Sequence, residues 1–114
     1  MEFSELKEFT REFKTLAKKF RSLEADLKIL KDFLKIYPSG YGDHTVRISG
    51  LGVETEIYKV KHFRCQALKG KGSRSGIRIV YAYLRGKGRI EFTEIYYKEH
   101  DDTDCDKERI RRYY

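Results

Sequence analysis

"GIRIVYAYLRGKGRIEFTEIYYK", residues 76–98, decides the fold. Residues 76–84 are apolar on both faces except at Arg78, as a central strand is, and residues 89–98 form a second β-branched and aromatic run. The joint "RGKG" is too short for a crossover helix, so the two runs are antiparallel neighbours. Upstream, "IYKVKHFRCQAL" (57–68) is a third run, tied to the second by "KGKGSRS", and together they predict a three-strand meander. Its alternation changes phase: Tyr58 and Val60 are apolar on even positions, Phe63, Cys65 and Ala67 on odd ones. A bulge near Lys61–His62 reconciles the two halves, because one extra residue moves every later side chain to the other face.

Outward from the meander the composition changes. All nine glycines lie between Gly40 and Gly88, which leaves a glycine-free front and tail. In the front, Phe3, Leu6, Phe9, Phe13, Leu16, Phe20, Leu23, Leu27, Leu30 and Leu34 recur at helical steps, predicting helices near 10–20 and 22–36, with Thr10 and Ser22 as N-caps and Pro38 and Gly40 as stops. Residues 3–9 read locally as helix, with a short strand as the alternative. The tail "DDTDCDKERIRRYY" runs from acidic to basic, complementing a helix dipole, with Thr103 or Asp104 as cap.

With 114 residues, the chain is expected to form one domain, 1–114, around one core. No stretch has the roughly 20 apolar residues of a membrane span, and "MEFSELKEF" does not read as a signal peptide, so a cytoplasmic location is expected. Cys65 and Cys105 belong to no CxxC pair and are expected to be free thiols.

The formal charge of +7 is concentrated in the middle: from Lys59 to Arg89 there are ten basic residues and no acidic one. A sheet built from this stretch presents a field of one sign, which attracts polyanions. The glycines of "LKGKGSRSG" do not make a nucleotide loop, because they lead into a strand rather than a helix and no Gly-Lys-Ser/Thr occurs. A zinc site from His44, His62, Cys65, His100 and Cys105 lacks paired ligand spacing. The basic strand surface is the remaining candidate. Lys59 and Lys61 stand two apart and share a face, and Arg78 is a lone charge in an apolar strand, which calls either for a ligand or for a buried partner such as Glu91 or Glu94.

"FTREFKTLAKKFRSLEADLKIL", "YKVK", "SGIRIVYAYL" and "IEFTEIYYK", in this order and before a short C-terminal helix, resemble the RelE/ParE superfamily of type II toxin–antitoxin toxins, most closely its RelE-like branch. The resemblance implies an α+β fold of order β-α-α-β-β-β-α, with two N-terminal helices packed on an antiparallel sheet and residues 3–9 as the first strand. It also implies a metal-independent, cofactor-free endoribonuclease that cuts messenger RNA on the ribosome by attack of a ribose 2′-hydroxyl on the adjacent phosphate. Such a step needs a base, cations for the phosphorane-like transition state and an acid for the leaving 5′-oxygen.

Matched to the family motifs, Tyr58-Lys59-Val60-Lys61 supplies two cations, one of them a possible base, and Gly76-Ile77-Arg78 supplies the ligand of the scissile phosphate. Where relatives place an Arg or His after the last strand, this chain reads Tyr97-Lys98-Glu99-His100, with Glu99 in the aligned place, a departure from the family pattern, and His100 beside it as the candidate acid. Arg64, Lys69, Lys71, Arg74 and Lys98 would extend the RNA path. The Tyr that many relatives carry in or before the last helix has no counterpart near Cys105; Tyr113 and Tyr114 substitute only if the tail folds back. The implied partners are an antitoxin and the ribosome with its mRNA, the free protein being a monomer. A ParE-like gyrase inhibitor and an inactive RNA- or antitoxin-binding module of the same fold are the alternatives.

Overall fold

The computed structural model describes residues 1–61, 63–67, 75–98 and 104–114. The central strand is β4 (Ile77–Leu84), which pairs antiparallel with β3 (Glu56–Val60) on one side and β5 (Arg89–Tyr97) on the other. Ile77, Ile79 and Tyr81 are fully buried on one face, and Val80 and Ala82 on the opposite face. Cover on both sides explains why this run shows no apolar–polar alternation.

One cover is the helix pair α1 (Lys7–Lys19) and α2 (Leu23–Ile36), whose Phe9, Leu23, Leu27, Leu30 and Leu34 form the main core with β3, β4 and β5. The other is α3 (Lys107–Tyr113), under which Leu51, Ile57, Val80, Ala82, Cys105 and Ile110 make a smaller cluster. Cys65 and Cys105 are free and fall in different clusters, on opposite faces of the sheet. The architecture is therefore α+β, with the N-terminal helix pair packed on a five-stranded sheet.

Four details differ from expectation. The sheet is mixed rather than antiparallel, because β1 (Glu2–Glu5) pairs parallel with β5 at one edge, where Phe3 lies 6.0 Å from Phe92 in a stacked arrangement. Residues 3–9 thus divide: the first few are strand, and α1 begins at Lys7, three residues before the expected start. At the far edge β2 (Thr45–Arg47) pairs with β3, a three-residue strand too short to leave a period in the sequence. The sheet order is β1-β5-β4-β3-β2.

The phase change was real but had a different cause. β3 ends at Val60, and Phe63 and Cys65 enter the same core as Tyr58 and Val60 from non-strand chain. His62 lies outside the described residues. The bulge is in β5: Val80 pairs with Glu94 and Tyr81 with Phe92, leaving Thr93 as the extra residue. Its hydroxyl donates to the Val80 carbonyl at 3.1 Å, and the slip lets Ile90, Phe92, Ile95 and Tyr97 all face the helices.

The caps also differ. Leu6 precedes α1 without a side-chain cap, and Thr10 lies inside the helix with its hydroxyl donating to Glu5 at 2.6 Å. Ser22 occupies the position before α2, but its hydroxyl donates to Asp26 and accepts from the Ala67 amide at 2.7 Å, tying the helix to the chain after β3. Asp106, not Asp104, caps α3, accepting from the Arg109 amide at 3.1 Å, and Thr103 lies outside the described residues.

Candidate nucleic-acid interface

Strand register places the basic residues. Lys59 pairs with Val80 and so shares the α3-side face with Val80 and with Arg78, two residues earlier on β4. Lys61 follows the last paired residue of β3, and its amide donates to the His44 carbonyl at 2.9 Å. Lys59 and Lys61 line one open groove of about 340 Å³ with Val46, Asp104, Cys105 and Lys107. Arg78 is not among its lining residues; it belongs to the same face of the sheet without bordering this groove.

Among the described residues, Arg78 does not have the carboxylate partner that a buried structural arginine would need. Its guanidinium donates only to the neighbouring Ile77 carbonyl, at 3.3 Å, and forms no ion pair among the described residues. Glu91 and Glu94 are engaged elsewhere. Glu91 accepts from Ser4 at 3.1 Å and from the Tyr114 hydroxyl at 2.5 Å, while Glu94 accepts the Asp106 amide at 2.8 Å. Gly76 fixes where this strand begins: it sits at φ +85°, and a Cβ there would lie 2.8 Å from the Tyr97 ring.

The structure adds groups that spacing alone did not single out. Asp104 lies 3.7 Å from Lys59 and 3.7 Å from Lys107, so an acid stands in the basic groove. The Cys105 amide, donating at 2.7 Å, holds the Asp104 carboxyl below its usual range, with the two lysines adding to the effect. Tyr96 pairs across the ladder with Arg78, and its hydroxyl is buried without a hydrogen-bond partner among the described residues. Burial raises its pKa, as do the nearby Cys105 and Glu94. Burial also pushes Glu94 up to about 7, and Glu12 adds to this while the Asp106 amide and Arg109 oppose it. The available signal for Glu94 was the one that exposed Arg78, a charge in an apolar strand. Asp104 gave none, since its acidic run reads equally well as a dipole complement.

The remaining candidates separate. Arg64 is exposed and borders another groove, with Phe33, His44 and Phe63. Lys98 is half-buried, its amide donating to the Gly76 carbonyl at 2.8 Å. His100, Glu99, Lys69, Lys71 and Arg74 lie outside the described residues. The tail does fold back, but not onto the basic residues: the Tyr113 hydroxyl donates to Glu8 and that of Tyr114 to Glu91. Glu91 pairs with Ala82, four residues along β4 from Arg78, about 13 Å at the rise of a strand.

Chemically, this face offers cations to a polyanion and, beside them, a buried carboxyl that titrates near neutrality. Among the described residues no three His, Cys, Asp or Glu side chains gather as a metal would require, and no helix is long and apolar enough to cross a membrane. The chain matches no known family model and no curated protein.

Proposed function

We propose that the chain is the toxin of a type II toxin–antitoxin pair, a RelE-type endoribonuclease that cuts messenger RNA on the ribosome in the cytoplasm. The observation that carries this reading is Arg78, a half-buried guanidinium on a central strand that has no carboxylate partner among the described residues and shares its face with Lys59. A partly desolvated cation without an acid is matched by a phosphate, which its fork can hold through two hydrogen bonds.

In the reaction a base removes the 2′-hydroxyl proton, the oxygen attacks the adjacent phosphorus, and the bond to the 5′-oxygen breaks as an acid protonates it. The products are a 2′,3′-cyclic phosphate and a 5′-hydroxyl. Arg78, Lys59 and Lys61 neutralise the extra negative charge of the transition state, and His100 is the proposed acid. Arg64, Lys69, Lys71, Arg74 and Lys98 guide the flanking RNA, and an antitoxin silences the protein by covering the basic face.

A non-catalytic RNA- or antitoxin-binding module has one observation in its favour: Lys59 is already paired with Asp104. Inducible expression with mapping of mRNA 5′ ends on translating ribosomes separates the readings. The wild type should arrest growth and produce new 5′ ends, and Arg78→Ala should abolish both. Arrest without mRNA cleavage would sink the nuclease reading, and broken plasmid DNA with intact mRNA would point to gyrase. No arrest at all would favour the non-catalytic module.

A further inference from the structure

The end of α2 and the turn after it carry an aromatic surface that runs outward from Phe33, which packs against the main core. Tyr37 and Tyr41 are 41% and 65% exposed, with Ile36 at 71% and Ile29 at 60% on the same side of the molecule's second helix. Ring centroids are 5.3 Å apart for Phe33 and Tyr37, 5.0 Å for Tyr37 and Tyr41, and 4.4 Å for Phe33 and His44. Their planes are tilted by 43°, 47° and 44° respectively, so the rings form steps rather than a closed stack. Scattered exposed aromatics need no explanation, but a contiguous set does.

The steps are held in place from below. Pro38 ends the helix, and its carbonyl accepts from the hydroxyl of the fully buried Tyr81 at 2.8 Å. The Gly40 amide returns to the Tyr37 carbonyl at 2.9 Å. Gly40 itself has φ +80°, and a Cβ there would lie 2.3 Å from the Thr45 Cβ, so only glycine lets the chain turn back this closely. A 3-10 turn, Gly42–His44, then leads into β2.

Charge lies beside the rings. The His44 carbonyl accepts the Lys61 amide, which joins this surface to the basic groove, and Arg64 borders the same small groove as Phe33 and His44. Asp26, which also borders it, is buried and engaged by the Ser22 hydroxyl and the Gln66 amide. Asp43 is the exposed acid of the turn. Aromatic faces flanked by cations are the recognition chemistry of unpaired bases: the rings stack on any base and the cations follow the backbone.

We propose that Phe33, Tyr37, Tyr41 and His44 form a stacking platform for unpaired bases of single-stranded RNA, joined to the basic groove where the Lys61 amide meets the His44 carbonyl; this rests on the RNA-directed reading above. The test uses the whole chain and a labelled single-stranded RNA of about 12 nucleotides, a length within the usual site sizes. By fluorescence anisotropy, Tyr41→Ala and Tyr37→Ala should each weaken binding roughly tenfold, while Tyr41→Phe, which keeps the ring, should bind as wild type does.

The chain has no Trp, so Tyr41→Trp introduces a single indole, whose fluorescence RNA should quench by stacking. Wild-type affinity in both alanine variants together with an unquenched indole would overturn the platform and leave RNA binding standing. Quenching by RNA in a protein that cuts no mRNA would keep the platform and remove the nuclease reading. A concentration-dependent dimer in sedimentation, lost in Tyr37→Ala/Tyr41→Ala while RNA affinity is unchanged, would make the surface a protein contact and overturn the proposal. Failure of the wild type to bind RNA would overturn it as well.

Discussion

Arg78 and Glu94 lie on neighbouring strands and the same face, yet they do not pair, and each is left with a different electrostatic problem. Arg78 is half-buried, donates to the Ile77 carbonyl and makes no ion pair among the described residues. Glu94 is buried beside Glu12 and Asp106, with only the Asp106 amide and Arg109 to offset desolvation, so its carboxyl titrates near 7 instead of its ordinary 4.5. The folded chain therefore holds this proton more tightly than the unfolded one. Its contribution to stability is complete below about pH 4.5 and is lost as pH rises through 7, a difference on the order of 3 kcal/mol. Glu94→Gln keeps an acceptor for the Asp106 amide without the titration, so urea midpoints at pH 5 and pH 8 should fall for the wild type and stay level for the variant. Glu56, held at about 2 chiefly by hydrogen bonds from Arg85, loses its contribution only as pH falls below 4.5 and leaves that window undisturbed. Parallel pH profiles for the two proteins would show that Glu94 is ordinary. Arg78 was legible because a charge inside an apolar run breaks a local pattern. Asp104 was not, because it meets Lys59 only after the chain has folded.

Among the elements, α3 depends most on the rest of the molecule. A seven-residue helix does not hold its own shape in water, and here it is clamped through Arg109. The guanidinium donates to both Glu12 oxygens at 2.9 Å and 2.8 Å and to the Thr93 carbonyl at 2.9 Å, linking α3 to α1 and to the bulge of β5. Ile110 fills the cluster beneath. Truncating Arg109 takes from the Thr93 carbonyl its guanidinium donor and leaves Glu12 with the Ile95 amide, which donates at 3.4 Å. The loss should be about 2–3 kcal/mol, less than for a fully buried pair because Glu12 keeps some contact with water. Arg109→Ala should lower the urea midpoint accordingly, and a shift no larger than that of an exposed control such as Arg111→Ala would show that the clamp is idle. The sequence announced this helix through its charge gradient but not the clamp, since Arg109 is one of several basic residues in the tail. β2 escaped notice for a simpler reason: three residues, only one of them buried, set no period. The expected bulge near Lys61–His62 was not found in β3, which ends at Val60, and the bulge at Thr93 in β5 was not foreseen, because it shows only once the strands are paired.

For the molecule as a whole, the sheet separates the main core from the basic groove. The face under α1 and α2 is the main core, while the opposite face carries α3, the smaller cluster and the groove of Lys59 and Lys61. The α+β class, the two front helices and the three-strand meander could be read from the periodicity of residues 10–98, whereas the first strand was implied only by the family resemblance, against a helical local period, and β2 was not foreseen. The parallel edge at β1 could not be read, because parallel pairing depends on where two helices return the chain, which no local pattern encodes. The charge of +7 was equally plain in the sequence, but its effective size depends on geometry, since Asp104 offsets part of Lys59. If RNA lies across the basic residues from Lys59 to Lys98, binding must release counterions in proportion to the phosphates neutralised. Lys59, Lys61, Arg64, Lys69, Lys71, Arg74, Arg78 and Lys98 together set an upper slope of about −5 to −6 for log K against log salt on a single strand. Lys61→Ala should reduce that slope by about 0.7, because among the described residues Lys61 makes no ion pair that would offset its charge. Asp104→Asn, which retains an acceptor for the Cys105 amide, should steepen it by freeing Lys59 for a phosphate. Anisotropy titrations between 50 and 200 mM salt read both changes. A wild-type slope shallower than about −2 would correspond to fewer than three phosphates and would exclude the basic face as the seat of binding.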